Sequence, residues 1–231
     1  MNNLVGGSGV DTYNVSVNHT GNLDGQGGGD VFNLTGGIVT GDLIGDAGDD
    51  HFNFDGGSVA GHVTGDAGND TFDVTAAATV TGGLSGGDGV DTFNIGATLT
   101  ASINAGVGAD IININASGSV SGTVAGGADQ DRLSYASYNA AVVVDLAGVG
   151  AIDGFNGTAN GISGGFTDIN EVVGGDPNDT LQGVDANANW DVDGTDLYTS
   201  GGNNLEFSDM ENSRSARAGR HLHYCRGAPA I

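Results

Sequence analysis

The sequence predicts an all-β protein, a parallel β-solenoid with two short strands in each turn of about 20 residues. Three observations support this prediction. Glycine supplies 45 of the 231 residues, far above its usual ~7% share. A glycine-rich loop recurs at a nearly constant interval, and each loop is followed by alternating apolar and polar residues. That alternation is typical of a strand with one buried face.

The repeated loop has the pattern G-x-x-G-x-D, as in GDAGDDHF and GDAGNDTF, which begin at Gly45 and Gly65. Its copies begin at Gly6, Gly25, Gly45, Gly65, Gly86, Ala105 and Gly126. Each copy ends in an aspartate, which gives the series Asp11, Asp30, Asp50, Asp70, Asp91, Asp110 and Asp131. The middle of the turn is expected to use the permissive backbone of Gly9, Gly48, Gly68, Gly89 and Gly108.

The two predicted strands supply the apolar columns of the core. The first strand begins two residues after each aspartate, with Tyr13, Phe32, Phe52, Phe72, Phe93, Ile112 and Leu133. A polar column beginning with Asn14 and Asn33 follows, and then a second apolar one. One turn cannot bury its apolar face alone, but stacked turns with like residues in register can.

The period divides the chain into three parts. Residues 1–147 are predicted to form a regular solenoid of about seven turns, and residues 148–213 an irregular continuation with insertions. Phe166 and Phe207 are interpreted as the same position two turns apart, and Asp179, in GGDPND, as a further loop aspartate. The chain begins within a repeat without an end cap, so we expect a fragment of a longer protein whose ends could associate.

Residues 214–231 are interpreted as a separate, disordered tail. Four of the five arginines and the single cysteine, Cys225, lie there. One explanation is an out-of-frame translation of a further repeat, because a one-nucleotide shift can turn RHLHYCRG into DTFTTAG. The nucleotide sequence tests this explanation. The alternative is a transition-metal site formed by His221, His223 and Cys225.

Charge limits the partners. The formal net charge is −24, lysine is absent, and only Glu171, Glu206 and Glu211 among the 29 acidic residues are glutamate. Nucleic acid and anionic membranes need a basic surface, so neither is an expected partner. No apolar run is long enough to span a membrane, the N-terminus does not resemble a signal peptide, and one cysteine cannot form an intrachain disulfide.

The stacked aspartates point to cations. Carboxylates ~4.8 Å apart repel by roughly 3 kcal/mol per pair at an effective dielectric constant of about 20. Divalent ions in single file between successive loops would remove this repulsion. Ca²⁺ prefers carboxylate and carbonyl oxygens, whereas Zn²⁺ favours histidine and cysteine, and Mg²⁺ retains several waters. The sequence therefore predicts Ca²⁺ at the aspartate column.

The loops GDAGDDHF, GDAGNDTF, GGDGVDTF and GGDPNDTL resemble the RTX, or hemolysin-type, calcium-binding nonapeptide. This resemblance implies that the seven aspartates and Asp179 bind Ca²⁺ through carboxylates and nearby backbone carbonyls. RTX rolls usually have two loops per turn, whereas this chain has one. The single-sided arrangement is similar to the Ca²⁺-dependent, ice-binding solenoid of a large bacterial adhesin, although the threonines of its loops are replaced here by Ser8, Gly28, Ala47, Ala67, Asp88 and Val107.

The expected function is a Ca²⁺-loaded structural or adhesive region of a secreted or surface bacterial protein that folds outside the cell. The alternative is a module that binds ice or glycan through an outward hydroxyl array, namely Thr79, Thr81, Thr98, Thr100, Ser119 and Ser121.

We do not expect an enzyme, because no histidine recurs near a candidate serine nucleophile. A polysaccharide-modifying enzyme fragment is the less favoured reading. Asp185, Asp191, Asp193 and Asp196 form a loose acidic series without EF-hand spacing, interpreted as a solvated loop or one additional Ca²⁺ site.

Overall fold

The computed structural model describes residues 2–175, 178–184, 187–192, 196–215 and 223–224. Across these ranges the chain forms strands and turns and contains no helix, and therefore no helix that could span a membrane. Successive turns pair through parallel ladders, in which hydrogen-bonded loop residues are 19 to 21 residues apart. The predicted parallel β-solenoid is confirmed.

Each regular turn contains three short strands. In one turn these are His51–Phe54, Ser58–Val59 and Val63–Ala67, which we call the post-loop, middle and pre-loop strands. The second strand expected from the sequence is therefore divided in two by a bend. Gly61 lies at this bend, where a β-carbon would collide with the carbonyl of Gly41 in the turn before.

The three ladders run through most of the chain. The post-loop strands are Thr12–Val15, Val31–Leu34, His51–Phe54, Thr71–Val74, Thr92–Ile95, Ile111–Ile114, Arg132–Ser134, Glu171–Val173 and Asn203–Ser208. The middle strands are Ile38–Val39, Ser58–Val59, Ala78–Val80, Thr98–Thr100 and Ser119–Val120. The pre-loop strands are Leu4–Gly7, Leu23–Gln26, Leu43–Ala47, Val63–Ala67, Leu84–Asp88, Ile103–Val107 and Val124–Ala128.

Like residues stack on like in the core. The rings of Tyr13, Phe32, Phe52, Phe72 and Phe93 form a column with centroids 4.5 to 4.9 Å apart and planes within 7° of parallel. On the outer face of the same ladder, side-chain amides bond from turn to turn, as when Asn53 Nδ2 donates to Asn33 Oδ1 at 2.9 Å. This supports a structural role for the polar column.

The regular coil is interrupted after Tyr135. Val143–Val149, Phe155–Ala159 and Ile162–Ile169 form an antiparallel meander. Its third strand returns to the solenoid, because it pairs in parallel with both the last middle strand and the last pre-loop strand. Glu171–Val173 then continues the post-loop ladder, 39 residues after its neighbour Arg132–Ser134.

The far end contains two further groups of strands. One group extends the post-loop sheet. The strand Leu197–Ser200 pairs in antiparallel fashion with the last post-loop strand, Asn203–Ser208, and Ala188–Asp191 pairs in antiparallel fashion with Leu197–Ser200. A separate parallel ladder joins Val143–Val149, Thr180–Gly183 and Asn212–Ser215, and His223–Tyr224 adds to it in antiparallel orientation.

Phe166 and Phe207 do not occupy equivalent positions. Phe166 pairs with Val124 and Phe207 with Val172, in different ladders, so equating these two positions was wrong. The error arises because the insertion adds residues without adding a turn. His221 and Cys225 of the tail lie outside the described residues.

Candidate metal centre

Six stacked loops join a pre-loop strand to the next post-loop strand and end in Asp30, Asp50, Asp70, Asp91, Asp110 and Asp131. Each of these aspartates is at most 1% exposed. The second loop residue has a left-handed backbone in all six, at Gln26, Asp46, Asp66, Gly87, Gly106 and Gly127. The fourth does as well, at Gly28, Gly48, Gly68, Gly89, Gly108 and Asp129. The predicted middle glycines therefore take the expected conformation, except Gly9.

One oxygen of each carboxylate connects neighbouring turns. The backbone N–H of Asp50 donates to Asp70 Oδ1 at 2.7 Å, and that of Asp70 donates to Asp91 Oδ1 at 2.7 Å. All six inner aspartates accept such a bond from the turn before, at 2.6 to 3.0 Å. The burial of these side chains is thus partly compensated by backbone donors.

The second oxygen of each carboxylate makes no hydrogen bond. Oδ2 of each inner aspartate is buried and has no hydrogen-bond partner among the described residues. An unpaired buried carboxylate oxygen is costly. Six such atoms occupy equivalent positions, where either a proton or a cation would offset the buried charge.

The unpaired oxygen lies beside the first residue of its own loop. A β-carbon at Gly45 would collide with Asp50 Oδ2 and with the Gly65 carbonyl oxygen of the next turn. We call this space, bordered by a carboxylate and a carbonyl oxygen, the glycine cradle. The same pair of atoms borders Gly25, Gly65 and Gly86. In the Asp110 loop the corresponding residue is Ala105, which is fully buried.

The electrostatics of the column favour cations. Burial, opposed by the backbone hydrogen bond and reinforced for most by neighbouring carboxylates, raises the carboxyl pKa values. They rise to about 6 for Asp50 and Asp91, about 7 for Asp70 and Asp110, and about 8 for Asp131. Near neutral pH a fraction of these five carboxyl groups is therefore protonated, and a divalent ion could replace those protons.

The donor set fits an oxygen-seeking ion. Each cradle offers one carboxylate and one carbonyl oxygen, which Ca²⁺ takes as ligands. In the described ranges, no three histidine, cysteine, aspartate or glutamate side chains converge to hold a metal ion. Neighbouring carboxylates lie one turn apart, so backbone oxygens and water would have to complete the coordination of any bound ion.

Asp11 and Asp179 differ from the six inner aspartates. Gly7 N–H donates to Asp11 Oδ2 at 2.8 Å, and Gly175 N–H donates to Asp179 Oδ2. In both loops the oxygen left unpaired elsewhere thus has a partner within the loop. Asp179 also lies in the separate ladder of the far end, where its Oδ1 accepts the Val142 N–H at 2.7 Å.

The hydroxyl array is less regular than the sequence suggested. Thr79 lies beside Thr100 and Ser58, so the strand containing Thr98 is shifted by two residues relative to the simple alignment. Thr98 lies beside Ser119, with their hydroxyl oxygens 3.1 Å apart. One continuous column of hydroxyls exists, but the predicted two-column array is broken at this shift.

Sequence reasoning missed three residues near the end of the column, Asp153, Asp168 and Asn170. They belong to no repeat, and only the returning insertion brings them to Asp131. Of the loose acidic series, Asp191 ends a mostly exposed strand and Asp196 directly precedes the strand Leu197–Ser200, whereas Asp185 and Asp193 fall outside the described residues.

Comparisons of this chain with protein-family models, characterised proteins and solved structures find no match.

Proposed function

We propose that this solenoid is a calcium-binding structural or adhesive repeat region of a secreted or surface bacterial protein, which folds when it binds Ca²⁺ outside the cell. The observation that carries the proposal is the row of six buried, unpaired Oδ2 atoms, five of which lie beside a backbone carbonyl oxygen at the glycine that opens the loop. The resemblance of the loops to RTX repeats gives independent support.

The residues would act in two ways. Each Oδ1 positions the preceding loop through its N–H, and each Oδ2 is free to bind an ion at the cradle. A bound Ca²⁺ would supply the positive charge that the protein itself does not, since residues 1–213 contain one basic residue, Arg132, apart from histidine. The ion would therefore neutralise the column and join successive turns.

The cellular setting follows from affinity. Extracellular Ca²⁺ modules commonly bind at about 10⁻⁴ to 10⁻³ M, and the folding free energy of such sites is coupled to metal binding. Under this proposal the chain stays unfolded where Ca²⁺ is scarce and folds at millimolar Ca²⁺ outside the cell. A secreted stalk or adhesive segment would gain rigidity only at its place of use.

Far-UV circular dichroism and analytical ultracentrifugation of the whole chain test the proposal. In 5 mM Ca²⁺ we expect a β-rich, compact protein, and in EDTA an expanded chain with reduced β signal. Mg²⁺ at the same concentration serves as the matched ion and should restore little structure. Equal β content and equal urea midpoints in Ca²⁺ and EDTA would contradict the proposal.

The ligand of an adhesive region is a separate question. Ice or glycan binding through the outward hydroxyls remains a prediction, which thermal hysteresis and a glycan array would test on the Ca²⁺-loaded protein.

A further inference from the structure

The last loop of the column is completed by a segment outside the repeat. A β-carbon at Gly126 would collide with the Asp168 carbonyl oxygen and with Asp131 Oδ2. These two atoms correspond to the carbonyl oxygen and the carboxylate oxygen that border Gly45. Asn170 Oδ1 accepts the Asp131 N–H at 3.1 Å, as the next aspartate does in other turns. The insertion thus reproduces both contacts of a repeat turn with different residues.

The insertion also brings an additional carboxylate. Asp153 Oδ1 accepts a hydrogen bond from Asn170 Nδ2, and its Oδ2 accepts one from the Asp129 N–H, both at 3.2 Å. Both donors are close to Asp131, since Asp129 precedes it by two residues and Asn170 accepts its N–H. Asp153 is therefore fixed near a carboxylate that is itself fully buried and whose Oδ2 is unpartnered.

Two aspartates of the junction have unfavourable backbones. Asp129 has φ 82° at a position where five other loops have glycine, and Asp168 has φ 56°. Non-glycine residues persist in the left-handed region only where their surroundings hold them, often at functional sites. The nearby cation Arg132 does not neutralise this group, because its guanidinium holds Glu171 at 2.8 Å.

We infer that Asp131, Asp153 and Asp168, positioned by Asn170, form a Ca²⁺ site of a second kind, which binds more tightly than the cradles of the repeat. Asp131 Oδ2 and the Asp168 carbonyl are its ligands, and Asp153 supplies a second negative charge close by. Ca²⁺ affinity rises with the charge and rigidity of the ligand set. The inference rests on the proposed function, since it assumes that the cradles bind Ca²⁺.

Isothermal titration of the whole chain with Ca²⁺ tests the site, using Asp153→Asn and Asp145→Asn. Asp145 is exposed on the first strand of the same insertion and is the matched control. We expect D153N to weaken the first, tightest equivalent about tenfold, in the range found when groups around metal ligands are removed. The later equivalents, and all equivalents in D145N, should keep wild-type affinity.

The outcomes separate the two proposals. Wild-type protein that binds no Ca²⁺ would refute the proposed function. Ca²⁺ binding with an unchanged first equivalent in D153N would overturn the second site alone. If D153N does not fold, Asn170→Asp provides the test of the second site. It keeps the acceptor for Asp131 N–H and adds a carboxylate, so it should tighten the first equivalent several-fold, and unchanged affinity would overturn the inference.

Discussion

The six inner loops and the Asp179 loop are variants of one motif, but the hydrogen bonds of their carboxylates differ. In GDAGND, Asp70 Oδ1 bonds to the preceding turn while Oδ2 has no partner in the described structure. In GGDPND, Asp179 Oδ1 bonds to Val142, but Oδ2 accepts the Gly175 N–H. The Asp11 loop follows the second pattern through Gly7.

The difference lies in the backbone of the second loop residue. That residue is left-handed in every inner loop, as at Asp46 and Asp66, and its N–H does not reach the aspartate. In the Asp11 loop the second residue, Gly7, is outside the left-handed region and donates. A match to the motif therefore does not determine whether one oxygen of the loop carboxylate is left unpaired.

The largest expected effect is a reversal of the pH dependence of stability. Without Ca²⁺, the raised folded-state pKa values of Asp70, Asp110 and Asp131, about 7, 7 and 8, lie above the unfolded value of about 3.9. Their contribution to stability is complete below about pH 4 and is lost as pH rises to about 8. In EDTA we therefore expect the free energy of unfolding to fall by several kcal/mol between pH 5 and 8, so that the β signal in circular dichroism is strongest near pH 5 and is lost near pH 8.

Saturating Ca²⁺ should invert this slope. Bound ions favour the ionised carboxylates, so the folded pKa values drop below those of the unfolded chain and stability rises with pH in the acid range. Urea titrations at pH 5, 6, 7 and 8, with Ca²⁺ and with EDTA, measure both slopes. Parallel slopes in the two buffers would mean that the ions do not bind at these aspartates.

Substituting one inner aspartate should separate the two loop types. Asp70→Asn keeps an oxygen for the Asp50 N–H but removes the buried charge. In EDTA at pH 8 the loss of this charge should favour folding by about 1 to 3 kcal/mol, so the variant should keep more β signal in circular dichroism than wild type. In Ca²⁺ it should bind one ion fewer.

Asp179→Asn is the matched variant, because it removes an oxygen that already has an N–H partner. It should bind as many ions as wild type and be less stable than wild type in Ca²⁺. Equilibrium dialysis and urea denaturation give the two readings. Loss of one ion in D179N would erase the distinction between the loops.

A methyl group in the cradle should cost somewhat less. The β-carbon of Gly65→Ala would meet Asp70 Oδ2 and the Gly86 carbonyl. In Ca²⁺ we expect the free energy of unfolding to fall by about 1 to 2 kcal/mol and the affinity for the ion at that turn to fall as well. Ala105→Gly makes the opposite change and should tighten Ca²⁺ binding at the Asp110 loop. Calcium titrations of both variants test this, and equal affinities in G65A and wild type would contradict the assigned position of the ion.

The smallest effect concerns the left-handed second residue. Asp66 has φ 74°, where later turns have Gly87 and Gly106. Asp66→Gly should raise stability in Ca²⁺ by about 0.5 to 1 kcal/mol, because glycine relieves the strained backbone at little steric cost. Asp88→Gly is the control, because Asp88 is an exposed strand residue with an ordinary φ, and this substitution should lower the stability. Thermal melts compare the two, and a lower melting temperature for D66G would disprove the strain.

The fold was predictable because one period governs two thirds of the chain. Alternation in each turn indicated strands, and the constant interval indicated which strands pair, as with Phe52 beside Phe72. The interval could not reveal the bend that divides the second strand. It also gave no information about residues 136–170, where three consecutive strands pair in antiparallel fashion through short turns and no repeated pattern is present.

The site was predictable only in part. The motif indicated which aspartates stack, but not which carboxylate oxygen is used for a hydrogen bond, since that depends on the φ of a residue four positions earlier. Asp179 matches the motif and still belongs to another ladder. Asp153 and Asn170 match no motif, and their spacing from Asp131 carries no periodic signal.

The hydrogen bonds of the aspartate column all point the same way. The N–H of Asp11 is held by Asp30, that of Asp30 by Asp50, and so on toward the C-terminus. A loop is therefore finished only by the turn that comes after it. In a chain that leaves the ribosome or a membrane pore N-terminus first, the newest loop always waits for about 20 more residues. Assembly of the coil is thus timed by the arrival of each following turn, and the insertion at Asn170 closes the last loop of the series.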